Sequence, residues 1–546
     1  MTVPRFDPTA HARAMRAGGF WLDTTIDGYL ADAIARVPDK PAVIADSIDG
    51  GTPVRLTYRE LGDRVARTAA ALAGLGVARG DVVALQLPNW WEFVIAALAC
   101  GRIGAVVNPL MPIFRERELE FMLGFAAAKV FVVPAEFRGF DHAAMARELQ
   151  TSLPMLQHVV VAGGAGTDSF DRLLLGSGAR IDPASNPADA ALQPGDVAVI
   201  MFTSGTTGSP KGVMHTSNTL IACNNALAGR FGLTADDVLL GCSPVGHMTG
   251  YAAIVLLAIR LGATMVLQDV WEARRGVTLM AREGATFTAA ATPFLADICD
   301  AVAGGAPRPG KLRSFLCGGA PIPPVLIERA ARELDLNVCS LWGMTESLSS
   351  TLTEPARAAD KSATSDGRAL AGVEVGVVDA ANRPLPANET GRLMVRGAQM
   401  FVGYHKRPDI PTFDADGWFD TGDLAYMDDE GYIRINGRTK DVLIRGGENV
   451  PVVEIEALLY RHPAITMAAV VGFPDPRLGE RACAFVALRP GAAFDLAALQ
   501  RYMAEMKVAK QYWPERVEIV DDLPRTPSGK IQKFALKERA KAFGAG

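Results

Sequence analysis

Val197-Ala198-Val199-Ile200-Met201-Phe202-Thr203-Ser204-Gly205-Thr206-Thr207-Gly208-Ser209-Pro210-Lys211-Gly212 is the stretch on which the reading of the whole chain turns. The apolar run 197–202 has the pattern of a buried strand. It opens into a loop made almost entirely of small and hydroxyl-bearing residues. Small side chains let backbone N–H groups approach a polyphosphate closely, the hydroxyls add donors, and Lys211 adds a mobile positive charge. An isolated Gly/Ser/Thr stretch is more often a flexible surface turn. The strand before this one and the lysine within it favour phosphate binding. It is not a Walker A loop, because the GxxxxGK[ST] spacing is absent.

Outward from this loop the chain alternates helical and strand patterns. Residues 57–80 carry apolar side chains at helical spacing and end in a glycine-rich turn; 81–87 (DVVALQL) reads as a short buried strand, and 91–107 as a second helix-then-strand unit. Alternation of this kind runs to about residue 370 and predicts α/β layers. From about 373 the segments VEVGVVDA, GRLMVRG and GYIRINGR are short alternating strands punctuated by turn residues, which predicts a β-rich subdomain. Gly437–Asp441 is a hinge candidate. Beyond it, the helix VEIEALLYRH, the strands AAVVGF and RACAFVAL, and a helix from about 495 predict a small α+β domain. The tract 160–190, rich in Gly, Ala, Ser and Asp, is expected to be loop. The expected fold class is therefore α/β, with a large domain over 1–437 and a small C-terminal domain over 438–546.

The bulk composition agrees with a soluble enzyme. A chain of 546 residues exceeds what one core sustains. Fifty-five basic against sixty acidic residues give a net charge of −5, which argues against nucleic acid as a partner. The seven cysteines include no CxxC pair and are odd in number, so a reduced, cytoplasmic chain without a structural zinc is expected. The N-terminus has no apolar signal-peptide core. The most apolar stretch, Tyr251–Leu267, is interrupted by Arg260 and Gly262. It is expected to be a buried helix running into a strand and not a transmembrane segment.

The 203–212 loop resembles the signature of the adenylate-forming (AMP-binding) superfamily, which contains acyl-CoA synthetases, the adenylation domains of peptide synthetases and firefly luciferase. Further motifs of that family follow in order and span about 55–535. The resemblance implies that Thr203, Ser204, Gly205, Thr206, Thr207, Gly208 and Lys211 bind the phosphates of ATP. In Leu341-Trp342-Gly343-Met344-Thr345-Glu346 it implies that Trp342 stacks near adenine, that Thr345 contacts the α-phosphate and that Glu346 holds Mg²⁺. The family more often has tyrosine at the place of Trp342. Gly318-Gly319-Ala320-Pro321 matches the segment bordering adenine and the acyl group. Asp423, in Thr421-Gly422-Asp423, and Arg438 are implied to reach the ribose. Lys440 is implied to be the pivot of a mobile C-terminal domain, and Lys530, in PRTPSGKI, the catalytic lysine.

The resemblance also implies the reaction. A carboxylate attacks the α-phosphorus of ATP, pyrophosphate leaves, and the acyl-adenylate passes its acyl group to coenzyme A. Gly446 and Gly447 are implied to line the tunnel for the pantetheine arm. His247, in SPVGHMTGY, is implied to gate an acyl pocket formed with Met248, Gly250, Tyr251, Gly318 and Gly343. Relatives that activate amino acids carry aspartate at the place of Met248, and dihydroxybenzoate-activating ones carry asparagine. A methionine there leaves a charged or hydroxylated substrate unpaired, at a cost of about 1–3 kcal/mol. The expected partners are thus an apolar short-chain, medium-chain or alicyclic acid, ATP, Mg²⁺ and CoA. Loading of a carrier protein and ligation of an aryl acid stay open as alternatives, as do a luciferase-like monooxygenase and a non-catalytic nucleotide sensor. Monomer and homodimer are both open.

Overall fold

The computed structural model describes residues 6–50, 52–176, 178–180, 191–203, 210–319, 322–438, 443–445, 448–450, 452–475, 477–525 and 531–544. Two large sheets dominate the part before residue 370. In one, the strands Val82–Leu85, Val106–Pro109, Ala128–Pro134, His158–Ala162 and Val197–Thr203 run parallel. Lys211–Thr216 then returns antiparallel beside Val197–Thr203, and Gly403–Tyr404 pairs antiparallel on its outer edge. The other sheet has a parallel centre formed by 41–46, 264–268, 238–241, 287–290, 314–318 and 337–344, with antiparallel strands at its edges. Strands covered on both faces read as continuous apolar runs, which is how these segments look in the sequence.

The helix Tyr58–Gly74 shows how the local sequence sets its own start. The Thr57 hydroxyl accepts from the Glu60 N–H at 3.2 Å, and Glu60 Oε2 accepts from the Thr57 N–H at 2.8 Å, forming a reciprocal cap. Tyr58, Leu61, Val65, Ala69 and Leu72 then fall on one buried face. With Phe93, Leu98, Leu227 and Ile254 they join one apolar cluster that also holds Val83, Val107 and Val199 of the first sheet and Val43, Leu239 and Met265 of the second.

The 251–267 run is core, as expected. It forms a widened helical turn over Tyr251–Leu256, an α-helix over Leu257–Leu261 and the strand Thr264–Gln268. Arg260 is accommodated because its Nε donates to Asn225 Oδ1 at 2.7 Å and its guanidinium lies 4.8 Å from the Tyr29 ring centroid. Among the described residues no helix is long and apolar enough to cross a membrane. The 160–190 tract departs from the loop expectation at its start. Val159–Ala162 belong to a strand pairing with 131–134, because HVVV supplies β-branched side chains for a buried edge, and Asp171–Leu175 form a short helical turn.

From Val373 the strands 373–378, 391–397, 419–427 and 433–438 make an antiparallel four-stranded sheet. The C-terminal part builds a separate sheet from 443–445, 448–450, 465–475, 479–488 and 516–519, covered by the helices Val452–Arg461, Leu496–Glu505 and Lys533–Lys541. Its two apolar clusters draw only on residues from Leu443 onward, whereas the three other clusters end at Ile435. All seven cysteines are buried free thiols, and burial pushes the Cys100 thiol up to about 12.

Candidate active site

The 203–212 segment links two antiparallel strands. Lys211 opens the returning strand and pairs with Thr203, and Gly212 pairs with Phe202. Ser204, Gly205, Thr206, Thr207 and Gly208 lie outside the described residues. The Lys211 ammonium sits 4.8 Å from the centroid of the Tyr404 ring. Tyr404 stands on the next strand, opposite Val213, and its hydroxyl donates to Glu346 Oε1 at 2.9 Å. Burial, then the adjacent Glu346 charge, hold the Tyr404 phenol well above its ordinary range, so it stays a donor. One aromatic side chain thus touches both the lysine and the carboxylate assigned to the polyphosphate and its metal.

Thr345 and Glu346 occupy the tight turn between Asn337–Met344 and Leu348–Leu352. Three contacts hold this turn. His215 Nε2 is 2.7 Å from the Thr345 carbonyl, the Phe401 N–H donates to the Glu346 carbonyl at 2.8 Å, and the Gln399 amide donates to the Ser347 carbonyl at 2.9 Å. His215 is fully buried, and desolvation lowers it to about 4. Gly343 is required here by close approach, since a Cβ on it would lie 2.0 Å from the Leu348 carbonyl oxygen.

Glu346 is a buried carboxylate with one oxygen engaged by Tyr404. Among the described residues no group of three or more His, Cys, Asp or Glu is placed to hold a metal. A single carboxylate beside a phosphate loop fits Mg²⁺, which takes one or two protein oxygens and completes its shell with substrate phosphates and water.

Residues that the resemblance assigns to the nucleoside also meet. Asp423, on Phe419–Met427, pairs with Arg438 across the sheet. Trp342 Nε1 donates to Asp423 Oδ2 at 2.8 Å, and both side chains are buried. The Arg438 side chain, Ala320, Pro321, Lys440, Gly446, Gly447 and Lys530 fall outside what is described.

His247 caps the helical turn Met248–Gly250, its Nδ1 accepting from the Thr249 N–H at 3.2 Å. It lines a narrow cleft of about 20 Å³ with Ser243, Thr249, Ala291, Phe294, Gly318 and Gly319. Of the residues assigned to the acyl pocket, His247 and Gly318 are on this wall. Met248 and Tyr251 are packed in the large apolar cluster, Tyr251 edge-on to Phe93 with centroids 5.7 Å apart. Gly250 closes the loop onto itself, since a Cβ there would lie 2.3 Å from the Pro244 carbonyl oxygen.

Sequence reasoning missed Asn89, His215, Tyr404 and Phe294. Asn89 is buried and pins the loop before His247. Its Nδ2 donates to the carbonyls of Gly241 (3.2 Å) and Ser243 (3.0 Å), and its Oδ1 accepts from the Val245 N–H at 2.9 Å. A polar residue opening an apolar helix, as in Pro88-Asn89-Trp90-Trp91, was the available signal for it. Nothing local distinguishes Tyr404, whose role depends on a strand pairing across 190 residues of chain.

Comparison with known proteins agrees with this arrangement. The family model of the AMP-binding enzymes matches residues 30–405, and that of the AMP-binding enzyme C-terminal domain matches 454–530. A medium-chain fatty-acid–CoA ligase of Escherichia coli (strain K12) is 35% identical over 96% of this chain and 92% of its own. A salicyl-AMP ligase/salicyl-S-ArCP synthetase of Mycobacterium tuberculosis is 36% identical over 97% of this chain and 93% of its own. Among solved structures, the anthranilate CoA ligase AuaEII in complex with anthranoyl-AMP superposes with a TM-score of 0.85 at 25% identity, covering 96% of this chain and all but 1% of that one (99% covered). ATP-bound MatB from Rhodopseudomonas palustris gives 0.83 at 28% identity over 95% of this chain and 100% of its own. With both family domains matched in order over most of its length, the chain belongs to the AMP-binding enzymes, as an acyl-CoA synthetase of that superfamily.

Proposed function

We propose that this acid–CoA ligase acts on an uncharged, apolar acid, of short to medium chain length or alicyclic. The observation that carries the reading is the His247 cleft. Its wall includes no Asp, Glu, Lys or Arg among the described residues, and the Ser243 hydroxyl there is already committed to the Ala289 carbonyl at 3.0 Å. A charged acyl tail would lose its hydration there without gaining a counter-charge.

In the first half-reaction the carboxylate oxygen attacks the α-phosphorus, and the bond to pyrophosphate breaks. The 203–212 loop and Lys211 hold the phosphates, Thr345 faces the α-phosphate, and Trp342 and Asp423 hold the nucleoside. Glu346 would hold Mg²⁺, which when bound neutralises phosphate charge. Lys530 stabilises the charge that develops as pyrophosphate departs. In the second half-reaction the CoA sulfur attacks the acyl carbon and AMP leaves. On this reading the C-terminal domain, 438–546, turns about Lys440, exchanging Lys530 for the Gly446–Gly447 tunnel. The seven buried free thiols support a reducing, cytoplasmic setting.

The test is thioester formation with linear C2–C12 acids, cyclohexanecarboxylic, benzoic, salicylic and hydroxycinnamic acids, each offered with CoA or with a carrier protein. A medium-chain or alicyclic acid with CoA is expected to give the highest kcat/KM. Preference for salicylic acid, or for the carrier, overturns the reading. The relatives that act on salicylate make that arm a necessary control.

A further inference from the structure

We infer that Trp342 is a positioning residue that sets discrimination between ribonucleotide and deoxyribonucleotide, acting through the Asp423 carboxylate. The inference rests on the reading of Asp423 as the acceptor for the ribose hydroxyls.

The indole N–H has a single donor and no acceptor, so the direction of the 2.8 Å contact to Asp423 Oδ2 is unambiguous. Both residues are almost wholly buried, at 7% and 4% exposure, so water does not compete for this hydrogen bond. A charge-assisted bond in such surroundings is among the stronger ones available. The rest of Asp423 is held as well. Its backbone N–H donates to the Thr421 hydroxyl at 3.0 Å, and that hydroxyl donates to the Leu393 carbonyl at 2.8 Å. Gly422, between them, sits at φ +73°. The main chain is thus anchored from one side and the carboxylate from the other, across two different sheets: Trp342 belongs to 337–344, Asp423 to 419–427.

A carboxylate has about four acceptor positions. The indole occupies one and fixes the plane of the group. Stacking on the ring requires only an aromatic face. Ribose selection requires the N–H. The two roles of Trp342 are therefore separable by substitution.

The experiment measures kcat/KM for ATP and for 2′-deoxy-ATP by pyrophosphate exchange, with equilibrium binding of both nucleotides, in the full-length enzyme and in Trp342→Phe, Trp342→His and Asp423→Asn. Phenylalanine keeps a stacking face and loses the donor. Histidine loses stacking area and can place a ring N–H where the indole nitrogen was. Trp342→Phe is expected to lower the ATP/2′-deoxy-ATP ratio roughly tenfold, as loss of one hydrogen bond to a charged group does. Trp342→His should weaken both nucleotides together and retain the ratio. KM for the acid should be unchanged in both. If Asp423→Asn lowers the ratio and Trp342→Phe does not, Trp342 only stacks and the inference is overturned. If Asp423→Asn leaves the ratio unchanged, it is the ribose reading of Asp423 that is wrong. Should the Phe variant not fold, a ratio lost in the His variant overturns the inference equally.

Discussion

The imidazole of His215 and the backbone carbonyl of Thr345 are 2.7 Å apart, joining the strand Lys211–Thr216 to the turn carrying Glu346. A carbonyl only accepts, so Nε2 carries the proton and Nδ1 is left to accept from the Thr219 hydroxyl at 3.1 Å. Burial lowers this histidine from 6.5 to about 4. Below about pH 6.5 the unfolded chain takes up a proton that the folded chain refuses. This part of the stability is thus complete above that pH and is lost as pH falls through about 4. Thermal unfolding of His215→Gln between pH 4 and pH 7 should show a shallower loss than the parent; equal slopes would count against it.

Tyr404→Phe removes the hydroxyl that donates to Glu346 Oε1 while keeping the ring beside Lys211. A hydrogen bond to a charged group is worth about 1.5–3 kcal/mol, so the Mg²⁺ concentration giving half-maximal pyrophosphate exchange should rise by roughly ten-fold or more. The maximal rate at saturating Mg²⁺ should change little. Binding of Mn²⁺ to the enzyme–nucleotide complex, followed by electron paramagnetic resonance, should weaken in parallel.

Asn89→Ala leaves the Val245 N–H and the carbonyls of Gly241 and Ser243 in a buried setting without their present partner. Each such group costs about 1–3 kcal/mol. The variant should unfold earlier and show a raised KM for the acid, because the loop that carries His247 is no longer pinned. KM for ATP should stay within about twofold, since substitutions without shared partners act independently. A rise in both constants would show that the loop is not the site of the effect.

Lys530→Ala should slow adenylate formation by about 100- to 1,000-fold, the usual cost of losing one transition-state charge stabiliser. Thioester formation from chemically prepared acyl-adenylate should be nearly unaffected. Lys440→Pro should show the reverse: adenylate accumulates and transfer to CoA is lost. Rapid-quench measurement of each half-reaction separates the two, and unchanged rates in both would remove the pivot from the mechanism.

Where physics is local, the sequence was legible. The helix 58–74 announces its cap in Thr57–Glu60, and the strands 82–85 and 197–203 announce themselves as uninterrupted apolar runs. The nucleotide motifs could be read because each packs its chemistry into three to ten consecutive residues. Positions such as His215 and Tyr404 were not legible, for one shared reason. Each acts on a segment far along the chain, and such a role exists only once the sheets have brought the segments together. Gly343 and Gly250 illustrate the converse. Both sit in motif stretches assigned to the acyl pocket, yet close backbone contacts with Leu348 and Pro244 already require glycine at those places.

The burial of every cysteine has a practical side. A thiol must ionise and be reached before it reacts with a maleimide or iodoacetamide, and these seven are enclosed, with Cys100, Cys242, Cys317 and Cys483 all pushed up to about 12. The native protein is therefore expected to give no reaction with thiol-directed labels. Val325, 53% exposed on the large part, and Phe534, 59% exposed on the C-terminal part, can each be replaced by cysteine without first stripping the chain of its own. A dye pair on those two positions would then report, molecule by molecule, whether their separation changes as nucleotide gives way to CoA.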